Sequence, residues 1–282
     1  MENSDNRVTT NFWLLAVFFA AILGGTSLGV LYLARTNALV KTKIAENKEA
    51  ARPANIEAII LIDQKCQDCF DVAPILTNFA QANIKITSTR TLNRTDQEAQ
   101  TLIAKYAIEK LPTIILRGEV QKDADLKAAL SQAGNIDGDT FVLRQIGGPY
   151  VAAVSGEIKG KTELTLISDS ACGKCYDVKI HQVILAGFGL KPKTKAVDIK
   201  SPEAKALIKQ YKIFLLPTFV LTGEVQEYPA LLKVWPQVGV VNNNAYVFTQ
   251  GVSTMGVYQD LKTGKIIDPT VATKPNSAAP KK

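Results

Sequence analysis

The sequence predicts an α/β protein: two tandem copies of one unit, each a mixed sheet flanked by helices, behind one N-terminal transmembrane helix. Three observations carry this. The chain opens with a long uncharged apolar run. Short branched-apolar segments then alternate with segments of helical period. The whole alternation occurs twice, at an offset of 105 to 108 residues.

Residues 1–11 form a polar tail, and Phe12 to Ala34 form the apolar run. No charge appears between Arg7 and Arg35. At about 1.5 Å per residue the run spans a hydrocarbon core of about 30 Å, and Trp13 and Tyr32 sit near its ends, where amphipathic rings favour the interface. A cleavable leader has an apolar region of only about 7 to 15 residues after a basic start. This run is longer, and Glu2 and Asp5 offset Arg7, so an uncleaved single-pass anchor is expected. Arg35, Lys41, Lys43 and Lys48 follow the span and pull the C-terminal part inward. That rule weakens ahead of a large folded domain, and disulfide chemistry favours the outer side. The soluble part is accordingly expected to be extracytoplasmic.

Residues 35–55 are a polar linker ending in Arg52-Pro53, with Lys41 to Ala51 able to form a helix. The first unit is expected over residues 56–160. Ile56 to Ile62 is a strand buried on both faces, and Cys66-Gln-Asp-Cys69 follows at once. Phe70, Val72, Ala73, Ile75, Leu76 and Phe79 then recur at helical spacing, with Pro74 interrupting or kinking the helix. Ile84 to Thr91 is a second strand, and Thr95 or Asp96 caps a helix through Tyr106. Leu111-Pro112-Thr113 opens the strand Ile114 to Arg117. Asp123 to Gln132 is helical, Gly134 stops it, and Phe141 to Gln145 is a further strand.

The second unit, residues 161–268, repeats the order. Strand Glu163 to Ile167 leads to Cys172-Gly-Lys-Cys175 and a helix with Val178, Val183, Ile184 and Leu185. Lys195 to Ile199 is a strand, and Ser201 with Pro202 caps a helix to Tyr211. Leu216-Pro217-Thr218 opens the strand Phe219 to Leu221. Smaller motifs match too: Gly118-Glu-Val-Gln121 with Gly223-Glu-Val-Gln226, and Ser155-Gly156-Glu-Ile158 with Thr263-Gly264-Lys-Ile266. Residues 269–282 are rich in Pro, Ala, Ser, Thr, Asn and Lys and are expected to be a disordered tail.

The four cysteines are the only ones in the chain. Cys66 precedes Pro112 by 46 positions and Cys172 precedes Pro217 by 45. This arrangement, with Tyr106-Ala-Ile-Glu-Lys-Leu-Pro-Thr113 and Tyr211-Lys-Ile-Phe-Leu-Leu-Pro-Thr218 behind it, resembles the thioredoxin family. The resemblance covers most of residues 54 to 268, taken twice, and is similar to the tandem protein disulfide oxidoreductases. It implies two thioredoxin-like domains, with Pro112 and Pro217 cis beside the cysteines. It also implies that Pro112, Thr113, Pro217 and Thr218 contribute to substrate binding. Three family features differ. Lys65 and Ala171 stand where a Trp precedes the first cysteine, neither pair encloses Gly-Pro, and Ile60 and Leu166 replace a buried acid.

A CxxC pair at a helix start has a chemical logic. The first thiolate, favoured by helix N–H groups, is the nucleophile, and the second thiol resolves the mixed disulfide. Cys66 and Cys172 are therefore the expected attacking residues, and Cys69 and Cys175 the resolving ones. The enclosed charges differ. Lys174 favours the thiolate of Cys172 and Asp68 opposes that of Cys66, so the second pair is expected to be the stronger oxidant.

The expected partners are protein thiols and disulfides, with the membrane engaged through the N-terminal helix. No bound cofactor or metal is required, because the cysteines carry the electrons. The net charge is +7, yet the lysines are scattered without groove-reading clusters, which argues against nucleic acid. The one histidine, His181, excludes most His-based metal sites and reads as a structural or surface residue. Asn93-Arg-Thr95 matches a glycosylation sequon. Two other readings remain open. One is a non-enzymatic docking module with static bridges, and the other is a scaffold in which four thiolates hold zinc.

Overall fold

The computed structural model describes residues 35–37, 39–80, 83–122 and 124–272. The chain divides into two compact units, Met1–Ala54 and Asn55–Lys282. In the first, the described residues are mostly helical through 51, as the linker's composition predicts, with exposed Lys43–Glu46 and Arg52–Glu49 pairs one turn apart. The apolar run 12–34 lies outside the described residues. Among the described residues no helix is long and apolar enough to cross a membrane.

Both cysteine motifs lie in the second unit, which is built as two similar halves. The first half contains β1 (Ala54–Ile62), α1 (Ala73–Ala80), β2 (Ile84–Asn93), α2 (Gln97–Lys105), β3 (Lys110–Leu111), β4 (Thr113–Gly118) and α3 (Ala124–Ala133). It closes with β5 (Gly134–Asp137), β6 (Thr140–Leu143), β7 (Tyr150–Ala152) and β8 (Ile158–Lys159). The second half contains β9 (Thr162–Ser168), α4 (Ile180–Gly187), β10 (Lys193–Asp198), α5 (Pro202–Tyr211), β11 (Leu215–Leu216), β12 (Thr218–Gly223) and α6 (Pro229–Val238). It closes with β13 (Gly239–Asn242), β14 (Ala245–Phe248), β15 (Tyr258–Asp260) and β16 (Lys265–Ile267).

Each half has a five-stranded sheet, ordered β2-β1-β4-β6-β5 and β10-β9-β12-β14-β13. β9 runs parallel to β10 and antiparallel to β12, so the sheet is mixed. β1 pairs antiparallel with β4 from Ile56↔Gly118 to Leu61↔Thr113. This arrangement is consistent with tandem thioredoxin-like domains. In both halves a helix, α3 or α6, precedes the hairpin that completes the sheet. A three-stranded sheet stands beside each large one, β3-β7-β8 and β11-β15-β16.

The repeated short motifs acquire physical reasons. In Gly-Glu-Val, the glutamate accepts from the start of the first strand. Asn55 N–H donates to Glu119 Oε2 at 2.7 Å, and Lys161 N–H donates to Glu224 Oε2 at 2.9 Å. The glutamate N–H returns the bond to the carbonyl of Asn55 or Lys161. Gly118 (φ +121°) and Gly223 (φ +95°) lie so close to those carbonyls that a Cβ would sit 2.5 and 2.4 Å from the oxygen. The Ser/Thr-Gly motifs form the β7–β8 and β15–β16 turns, with Gly156 and Gly264 left-handed.

The cores differ in chemistry. The first half packs aliphatic residues such as Ile59, Leu61, Leu102, Ile103 and Ile115. The second carries an aromatic set in which Phe219 stacks on Phe248 at 5.1 Å and meets Trp235 edge-on at 5.9 Å.

Several expectations are corrected. Pro74 does not interrupt a helix, because α1 begins at Ala73 and the proline sits in its first turn, where no N–H is needed. Gly134 stops α3 as expected but also begins β5. Pro269–Ala272, assigned to the tail, is a short helix. The tail from 273 lies outside the described residues.

Candidate functional site

Each pair is closed on itself: Cys66–Cys69 with Cα atoms 5.4 Å apart, and Cys172–Cys175 with Cα atoms 5.5 Å apart. Both pairs lie in turns after the first strand, and neither opens a helix. α1 begins four residues after Cys69, and α4 five after Cys175. This corrects the expectation that helix N–H groups face the first sulfur. The cause is a repeated aspartate two residues past each pair. Asp71 Oδ1 accepts from Ala73 N–H at 2.9 Å, and Asp177 Oδ1 accepts from Lys179 N–H at 3.0 Å. These Asx turns lie between each pair and its helix, and Asp71 caps the first N–H of α1. His181 consequently lies in the first turn of α4, on a different element from Cys172.

A second aspartate, three residues before each pair, shapes the turn itself. The Asp63 carbonyl accepts from Cys66 N–H and its Oδ1 from Lys65 N–H. Asp169 does the same for Cys172 and Ala171. The next strand supplies another acceptor: Asn93 Oδ1 for Gln64 N–H at 3.1 Å, and Asp198 Oδ2 for Ser170 N–H at 2.8 Å. Asn93, half of the sequon, is thus committed to holding the first loop. Sequence reasoning missed these residues, although an aspartate repeated three positions before each pair was a readable signal.

Only the first half adds an ion pair. Arg94 Nε donates to Asp63 Oδ2 at 2.7 Å, and the Asp63 side chain is 4 % exposed. Burial pushes the Asp63 carboxyl up, but the Arg94 guanidinium and the Lys65 N–H outweigh it, so the group titrates below its ordinary value. Ile199 stands at the Arg94 position in the second half, where it makes the equivalent backbone bond to Ser168.

Both Leu111-Pro112 and Leu216-Pro217 are cis, as the resemblance implies, and the Pro217 carbonyl accepts from the hydroxyl of Tyr176, the residue after Cys175. Pro112 lines an open cleft of about 470 Å³ together with Cys66, Cys69, Phe70 and Thr91. Lys191, from the second half, completes the lining. Thr113 and Thr218, expected at the substrate surface, are 1 % and 0 % exposed. Their hydroxyls donate inward, to the carbonyls of Leu143 and Phe248. They clamp β4 to β6 and β12 to β14.

In both halves a short strand, β7 or β15, crosses the site. β7 pairs with the residues before Pro112 (Leu111↔Val151), and β15 with those before Pro217 (Leu216↔Gln259). The same segments accept from the residue after each pair. Phe70 N–H donates to Pro149 O at 2.7 Å, and Tyr176 N–H donates to Val257 O at 2.9 Å. The strand edge ahead of each cis proline is therefore already occupied by the chain's own backbone.

The two pairs differ in access. Cys66, Cys69 and Cys175 are half-buried, whereas Cys172 is 8 % exposed. In the second pair the cysteine expected to resolve is the more open one. Asp68 and Lys174 are both exposed, where water screens their effect on sulfur. His181 is 2 % exposed, packed between Phe219 and Phe248 at 4.7 and 4.6 Å. Burial lowers its pKa from 6.5 to about 4, so it is neutral at physiological pH. It is structural, as expected. Among the described residues no three of His, Cys, Asp and Glu converge as a metal site.

Comparison with known proteins adds little weight. No family model matches the chain, and no curated protein does. Among solved structures, the chain is similar to the NTD_N/C domain of alkylhydroperoxide reductase AhpF from Enterococcus faecalis. That match has 16% identity, covers 64% of this chain and 90% of that one, and has a TM-score of 0.20. Human ERp44 matches at 12% identity, over 66% and 88% of the two chains, with a TM-score of 0.18. Superpositions this loose carry no argument, and the thioredoxin-like reading rests on the sheet order, the two CxxC loops and the cis prolines.

Proposed function

We propose that the chain is a membrane-anchored thiol–disulfide oxidoreductase that exchanges disulfides with protein substrates through two CxxC pairs. The supporting observation is the duplicated juxtaposition of a disulfide loop, partly open to solvent, with a cis-proline turn. A substrate thiolate attacks one sulfur of a pair and breaks its S–S bond, forming a mixed disulfide. A second substrate thiol then displaces the protein sulfur, leaving a substrate disulfide and a protein dithiol. Run backward, the same steps reduce a substrate. The attacking residues on this reading are Cys66 and Cys172, with Cys69 and Cys175 resolving. The apolar run 12–34 serves as the anchor, and the soluble part works on the extracytoplasmic side.

Trapping tests this directly. Cys69→Ala and Cys175→Ala in vivo are expected to accumulate mixed disulfides on Cys66 and Cys172, whose partners report the substrate and the side of the membrane. Cys66→Ala and Cys172→Ala are the converse traps. Stronger accumulation with Cys172→Ala would make the more open Cys175 the attacking residue.

A second reading has its own support. The occupied strand edges and inward-facing threonines suit a docking module whose bridges are static. Absence of insulin reduction and isomerisation, with both pairs resistant to thiol reductants, would favour it.

A further inference from the structure

Tyr176, the residue after Cys175, is held at three points. Its N–H donates to Val257 O at 2.9 Å. Its hydroxyl donates to the carbonyl of Pro217 at 2.7 Å and lies 3.1 Å from His181 Nε2. A phenol has one proton. With that proton on Pro217, the contact with His181 requires the imidazole to donate, which assigns the Nε2–H tautomer. His181 is neutral and wedged among Tyr176, Phe219 and Phe248, so the donor is fixed in place. Burial also raises the pKa of Tyr176, keeping its proton on. The result is a directed chain from His181 through Tyr176 to the cis-proline turn.

The first half has no counterpart. Phe70 stands where Tyr176 does and has no hydroxyl, and Ile75 stands at the position of His181. Phe70 is held by its N–H to Pro149 O and by packing of its ring against Gly147, with no side-chain hydrogen bond to the proline turn. The asymmetry falls on the residue bonded to the second cysteine of each pair, where it bears on the geometry of the disulfide.

We propose that Tyr176 and His181 are positioning residues of the second pair. By fastening the residue after Cys175 to the Pro217 carbonyl, they favour the Cys172–Cys175 disulfide over the dithiol, and do so in this half alone. The inference rests on the pairs being exchangeable, as proposed above. Its mechanism is pre-organisation: the bonds are made in the disulfide form, and a separated dithiol frees the loop they hold.

The test uses the full chain carrying Cys66→Ser and Cys69→Ser, so that only the second pair titrates. Dithiothreitol supplies two electrons and two protons; its own S–S bond forms as that of Cys172–Cys175 breaks. The equilibrium constant is read by alkylating the free thiols. Tyr176→Phe is expected to move it toward the dithiol by at least about threefold, the scale of one hydrogen bond. His181→Phe should share the direction, and His181→Gln, which retains an N–H donor, should recover part of the shift. The mirror chain, carrying Cys172→Ser and Cys175→Ser, should not respond to Tyr176→Phe. An equilibrium unchanged by both Tyr176→Phe and His181→Phe overturns the proposal, even if Tm falls, and so does a second pair that resists dithiothreitol in every variant. Turnover on protein disulfides is measured separately. A shifted equilibrium without turnover keeps the positioning role and removes the oxidoreductase reading; turnover with an unshifted equilibrium does the reverse.

Discussion

The backbone N–H of Gly148 donates to the carbonyl of Gly189 at 2.9 Å, and this bond joins the two halves next to the first disulfide. Gly189 lies just past the end of α4, the helix that follows the second pair, and Gly147 packs against the ring of Phe70, the residue after Cys69. A Cβ on Gly147 would sit 2.2 Å from the Gly189 oxygen and 2.7 Å from Phe70. Gly147→Ala must therefore move backbone, not only a side chain. The expected cost is about 2 kcal/mol or more by chemical denaturation, the range for overpacking.

The Asp63–Arg94 pair should stabilise the first cysteine loop. Asp63→Ala removes the turn acceptor and leaves the guanidinium, 16 % exposed, without its partner. A loss of about 2 kcal/mol is expected, below the range for fully buried pairs because Arg94 is partly solvated. Because the folded carboxyl titrates below its ordinary value, the contribution is present above the unfolded pKa and is lost as pH falls through the folded one. Asp63→Asn should keep the turn bond and lose only the charge-dependent part.

His181 should give an acid-dependent loss of stability. Its pKa is 6.5 unfolded and about 4 folded. Between these values the unfolded chain takes up a proton that the folded chain refuses, so stability falls as pH drops from 6.5 toward 4 and then levels. The full effect is about 3 kcal/mol. Denaturation of the wild type and His181→Gln across this window checks it, since the slope assigned to His181 should be missing from the variant.

Lys191 should tune the first pair. This exposed lysine lines the cleft that contains Cys66 and Cys69, where positive charge favours a thiolate and so the reduced form. This also offsets Asp68, removing part of the charge difference that ranked the second pair as the stronger oxidant. Lys191→Ala is expected to move the first pair's equilibrium with dithiothreitol toward the disulfide by about twofold, a surface-charge effect. The shift should shrink at high salt.

The duplication and the strand–CxxC–strand–helix–Pro-Thr order were legible in the chain, because they depend on local residue chemistry and on spacing, and both halves repeat them. The cis state of Pro112 and Pro217 followed from the family resemblance. The placement of the cysteines was less so. The Asp71 and Asp177 turns that separate them from α1 and α4 were present in the sequence, but competing helical periodicity from Val72 and Val178 onward masked them. Thr113 and Thr218 were identified as important, yet their direction depends on which strand lies alongside.

By itself the sequence determined two CxxC loops and two Leu-Pro-Thr turns at matched spacing, because hydrophobic period and turn chemistry act over a few residues; that the turns stand beside the loops came from the family resemblance. Only the tertiary structure decided what surrounds them. Lys191 reaches the first cleft from the other half, β7 and β15 occupy the strand edges, and Tyr176 meets Pro217 and His181. All but the Tyr176–His181 contact join elements distant along the chain, set by packing and register that no local pattern encodes. The Lys191 and Tyr176 contacts also set apart two motifs of the same spacing, Cys66-Gln-Asp-Cys69 and Cys172-Gly-Lys-Cys175.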